Sequence, residues 1–100
     1  MKYTQTTLNE AVQDIVTRYG ANIVLQPDKI TREIIQSLNA ETLAMLAQAQ
    51  QQHLKIDQQG LKTILALGEH WIDKPSHETS AKILDALMDF EAAHTDWDAQ

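Results

Sequence analysis

Apolar residues recur at steps of three and four along most of the chain, the spacing that gathers one face of an α-helix. Leu8, Ala11, Val12, Ile15, Val16 and Tyr19 form the first such stripe. Thr7-Leu8-Asn9-Glu10 reads as a capping box, with Thr7 at the cap and Glu10 reaching back to it. Gly20 is the expected stop, because glycine takes the left-handed conformation at little cost. Ile23-Val24-Leu25 is too short to assign as either a strand or a buried connector. Pro27 suits the first turn of a second helix, whose apolar face is Ile30, Ile34, Ile35 and Leu38. Asn39 can end that helix and cap a third, carrying Leu43, Leu46, Ala47 and Leu54. Asp57 is the expected cap of a fourth, with Leu61, Ile64, Leu65, Gly68, Trp71 and Ile72. Asp73-Lys74-Pro75-Ser76 breaks the pattern, and Ser76 caps a fifth with Ile83, Leu84, Leu87, Met88 and Phe90.

The pattern predicts an all-α fold, a compact bundle of four to five short amphipathic helices. Residues 1–94 read as a single helical domain and residues 95–100 as an acidic polar tail. Three glycines and two prolines in 100 residues fit a helical chain. The run Gln48-Ala49-Gln50-Gln51-Gln52 reads as a solvated helix face. The absence of cysteine excludes disulfides, thiolate zinc sites and a cysteine nucleophile. No apolar run approaches the roughly 20 residues that span a bilayer, and residues 1–10 lack the apolar core of a signal peptide. The expectation is a cytoplasmic protein that does not enter a membrane.

Charge changes the picture. Of the formal net charge of −6, most lies in the last quarter, where seven acids face only Lys74 and Lys82. Such a field repels phosphate backbones and favours a basic partner surface. A helix-turn-helix around Leu38-Asn39-Ala40 would need basic or amide groups at the start of its recognition helix, which instead reads Ala40-Glu41-Thr42-Leu43. Direct nucleic-acid binding is therefore disfavoured. The spaced acids of the last helix instead raise the idea of nucleic-acid mimicry, against the simpler reading of a solvated face.

Candidate chemistry is sparse. Glu91 and His94 stand at i and i+3, half of a carboxylate-bridged di-metal motif, but no second Glu-x-x-His occurs. His70, Asp73 and His77 straddle one helix junction and could meet around zinc. Otherwise His94 would serve the C-terminal dipole of its helix. The serines, Ser37, Ser76 and Ser80, occupy no nucleophile elbow, and no glycine-rich phosphate loop is present. No catalytic residue, metal or cofactor is expected. Trp71 belongs to an apolar stripe and reads as core, whereas Trp97 stands among acids, either folded back or offered to a partner.

Tyr19-Gly20 followed by Ile23, Pro27, Ile30 and Ile34-Ile35 resembles short helical modules of bacterial signalling and docking proteins. It also resembles small enterobacterial regulators that link two-component systems to biofilm control. The likeness covers the first 40 residues, rests on helix-packing positions and identifies no site.

The functional expectation is a small, non-enzymatic bacterial or phage protein that regulates or inhibits another protein. Its partner would present a basic surface to Asp85, Asp89, Glu91, Asp96, Trp97 and Asp98. Two alternatives stand beside it. One is a homo-oligomeric structural or adaptor protein, pairing as a homodimer through Met45 or Trp71. The other is a helix-turn-helix or metal-binding regulator.

Overall fold

The computed structural model describes residues 3–98, with side chains up to His94. Four α-helices run in chain order: α1 (Gln5–Leu25), α2 (Arg32–Gln51), α3 (Gln58–Asp73) and α4 (His77–Asp98). A single 3₁₀ turn, Pro27–Lys29, lies between α1 and α2. No strand occurs among the described residues.

Helix α1 is longer at both ends than its sequence pattern suggests. Its cap is Thr4 rather than Thr7. The Thr4 hydroxyl accepts the Thr7 N–H at 3.1 Å, and the Thr7 hydroxyl accepts the Thr4 N–H at 2.7 Å. This is a reciprocal capping box with threonine in the place of glutamate. Gly20 does not stop the helix. It is buried on α1 and faces Leu84 of α4. Ile23-Val24-Leu25 is thus the last turn of α1, not a strand. The helix ends at Gln26, because the residue before a proline is driven out of the helical region.

Pro27 begins the 3₁₀ turn and not a helix. The cap of α2 is Thr31, whose hydroxyl accepts the Ile34 N–H at 3.3 Å. Asn39 ends nothing: α2 continues through it as one 20-residue helix. The second and third predicted helices are therefore one, and no helix-turn-helix exists there. Helix α2 closes at His53, which holds a left-handed φ of 57° while the Leu54 N–H reaches back to the Ala49 carbonyl at 2.9 Å. A histidine thus occupies the position that glycine usually takes in such a cap. Leu54, expected on a helix, lies just beyond this turn.

The last two helices follow the sequence pattern closely. The Asp57 carboxylate accepts the Gly60 N–H at 3.0 Å to cap α3. The Ser76 hydroxyl accepts the Thr79 N–H at 3.1 Å at the start of α4.

Successive helices are antiparallel, and α4 returns to lie against α1. Asn9 meets His94 near one end of the bundle, while Gly20 meets Leu84 towards the other. The core runs through Leu8, Val12, Ile35, Leu38, Leu61, Ile64, Ile83, Leu87 and Phe90, all essentially inaccessible to water. Each such side chain stabilises the fold by about 1.5–3 kcal/mol through removal from water. Trp71 joins this core and donates its indole N–H to Ser80 Oγ at 3.0 Å. Met45 is also core, at 2% exposure. Neither residue is available to pair two copies of the chain.

Candidate functional site

The exposed side of α4 carries Asp85, Met88, Asp89 and Ala92, which recur at steps of three and four. The pattern placed Met88 on the apolar face, but it is 58% exposed. The shift follows from geometry: Ile83, Leu87 and Phe90 point to the core, and Met88 stands about 100° round the helix from Leu87. Lys82 turns away from the two aspartates and pairs with Glu78 at 3.6 Å. No ion pair among the described residues neutralises Asp85 or Asp89.

Beside this acidic row runs an apolar groove between α4 and the second half of α1. Val16, Thr17, Gly20, Ala21, Val24 and Leu25 form one wall, and Leu84, Met88, Glu91 and Ala92 the other. Its volume is about 690 Å³. Val24 and Leu25 are 61% and 76% exposed, so with Met88 three large apolar side chains meet water at its edges. Glu91 is half-buried in the α4 wall. Of the expected partner-binding residues, Glu91 lies in the groove wall, whereas Asp85 and Asp89 are exposed on α4 and do not line it. The side chains of Asp96, Trp97 and Asp98 lie outside the described residues.

The α1 wall is masked in the sequence pattern, which predicts that the helix ends at Gly20. Once the helix runs on, Val16, Gly20 and Val24 fall on successive turns of one face. A signal existed: Ile23 continues the stripe of Val12, Val16 and Tyr19 at helical spacing.

Across the bundle, the seam between α1 and α2 is more open and is bridged by polar groups. The Tyr19 hydroxyl donates to Glu41 Oε2 and lies 2.9 Å from Ser37 Oγ. Arg18 donates to Glu41 Oε1 at 2.8 Å and to Asp14 Oδ2 at 2.9 Å. Burial pushes the Tyr19 phenol up, and its hydrogen bond to Glu41 pushes it further. Burial alone would raise Glu41, but the hydrogen bonds from Arg18 and Tyr19 outweigh it and hold the carboxyl below its usual range. The cluster reads as a structural clasp.

The expected histidine roles change as well. His94 is buried, with Nδ1 3.0 Å from Asn9 Oδ1 and Nε2 accepting the Asp57 N–H at 3.2 Å. The ring thereby joins α1, α4 and the cap of α3, serving packing and hydrogen bonding between helices. His77 lies 3.2 Å from Asp28, and the trio with His70 and Asp73 does not converge. Among the described residues, no three histidine, aspartate or glutamate side chains gather to hold a metal ion.

The glutamine run is only partly a solvated face. Gln48 and Gln52 are half-buried, bonded to each other at 2.8 Å, and Gln52 accepts the Tyr3 N–H at 2.7 Å. Gln50 and Gln51 are exposed.

No protein-family model matches the chain, and comparison with curated proteins and with solved structures finds no significant match. The helical resemblance of the first 40 residues therefore gains no support. No helix among the described residues is long and apolar enough to cross a membrane.

Proposed function

We propose that the protein is a small binding module that captures or blocks a protein partner presenting a basic surface, and that α4 is its recognition helix. The observation that carries this reading is the pair Asp85 and Asp89, exposed, one turn apart, without an ion-pair partner among the described residues, and directly beside exposed Met88. Carboxylates left without counter-charges steer a basic partner from a distance. An adjacent apolar side chain supplies surface to bury once contact is made. The reading is binding rather than catalysis, in a cytoplasmic setting, by a regulator or inhibitor.

Charge reversal tests it. Asp85→Lys with Asp89→Lys should leave helicity by circular dichroism unchanged, because both side chains are exposed. Partner capture that the native protein shows at low salt should disappear in the variant and weaken at high salt. Capture that survives both changes would move the binding surface off α4.

A further inference from the structure

We infer that the groove between α1 and α4 seats an amphipathic helix with basic flanks, supplied by the partner; this deepens the acidic-face reading and rests on it. The walls repeat at helical intervals: Val16, Gly20 and Val24 on α1, and Leu84, Met88 and Ala92 on α4. Four-residue steps set neighbouring positions about 6 Å apart, so each row offers about 12 Å of continuous trough. A helix laid along it would meet those steps with apolar residues at i, i+3 or i+4, and i+7. Gly20 and Ala21 keep one side of the trough shallow, which admits the incoming backbone.

An extended peptide would need a sheet edge to pair with, and no strand occurs among the described residues. Charge selects the flanks of the occupant. Asp85 and Asp89 flank Met88 on the exposed side of α4, and none of the described residues lining the groove is a lysine or arginine. A second copy of this chain would bring the same acids against them, which disfavours self-association through this face.

The test uses the full chain and three designed peptides of about 18 residues. One carries leucines at the stated spacing with lysines elsewhere, one is its scramble, and one has glutamate in place of lysine. Titration followed by amide NMR shifts should show the helical lysine peptide perturbing Thr17, Gly20, Ala21, Val24, Leu84 and Met88. Val24→Ser with Met88→Ser should weaken it at least tenfold without loss of fold, as both positions are exposed. The glutamate peptide should not bind. Equal binding of the scramble would overturn the helix-in-groove inference; its loss in the Asp85→Lys, Asp89→Lys variant would still preserve the acidic-face reading. No binding of the helical lysine peptide, or shifts mapping elsewhere, would also overturn the inference. So would a dimer in sedimentation that Val24→Ser with Met88→Ser dissolves, since the groove would then belong to a second copy.

Discussion

At the scale of single residues, three backbone positions respond in opposite senses to one methyl group. A Cβ on Gly20 would sit 3.5 Å from Leu84 Cδ1, an ordinary contact, so the site has room. Gly20→Ala should raise stability by about 0.5–1 kcal/mol, the helical advantage of alanine over glycine. At Gly68 the same methyl would overlap the Asn39 carboxamide, with its Cγ and Nδ2 both at 2.9 Å. Gly68→Ala should cost about 1–3 kcal/mol through overpacking. His53 is the converse case. Its left-handed backbone costs about 1–2 kcal/mol, while glycine adds about 0.5–1 kcal/mol of unfolded-chain entropy. His53→Gly should therefore gain up to about 1.5 kcal/mol. Denaturant unfolding of the three variants checks the set, and a stable Gly68→Ala protein would contradict the close approach of α2 and α3.

At the scale of elements, the seam between α1 and α2 depends on ionisation. Glu41 is held below its ordinary value of 4.5, so its contribution is present above that pH and is lost as the pH falls through the depressed value. Tyr19 is held above 10.0, so its contribution is present below that pH and is lost as the pH rises through the raised value. Glu41→Gln should flatten the acid side of the stability profile and Tyr19→Phe the alkaline side. Each effect should stay under about 1 kcal/mol, because Arg18 and Glu41 are partly exposed and screened by water. Thermal melts across pH check both limbs. The elements also show what was legible beforehand. Asp57 and Ser76 announced α3 and α4 because side-chain caps are local chemistry. Gly20 and Asn39 misled because a residue type suited to a cap can equally sit inside a helix: Gly20 lies within α1, and Asn39 lies within α2 where Gly68 of α3 comes close. Asp85 and Asp89 were visible as charge, but the groove beside them was not, since it needs α1 and α4 to meet.

At the scale of the molecule, charge and shape coincide on one side. Lys82 pairs with Glu78, and among the described residues no ion pair covers Asp85 or Asp89. Association with a basic partner should therefore be fast at low ionic strength and slow as salt is added, with dissociation changing less. The Arg18, Tyr19 and Glu41 clasp lies on the side of α1 that faces α2, not on the side that faces α4.

The contact between Asn9 and His94 joins residues 85 positions apart in the chain, and this has a consequence for synthesis. Helix α1 leaves the ribosome before α4, yet α4 is the surface that covers most of its apolar stripe. At about 5–20 residues per second, α1 waits roughly 3–14 s for that cover. The nascent chain thus carries Leu8, Val12, Val16 and Ile23 uncovered for seconds, a natural substrate for a hydrophobic chaperone. A stalled chain with only residues 1–76 exposed should bind such a chaperone and be cut readily within α1, and one with α4 fully exposed should resist both. Equal protection of the two would mean that α2 and α3 alone suffice to shelter α1.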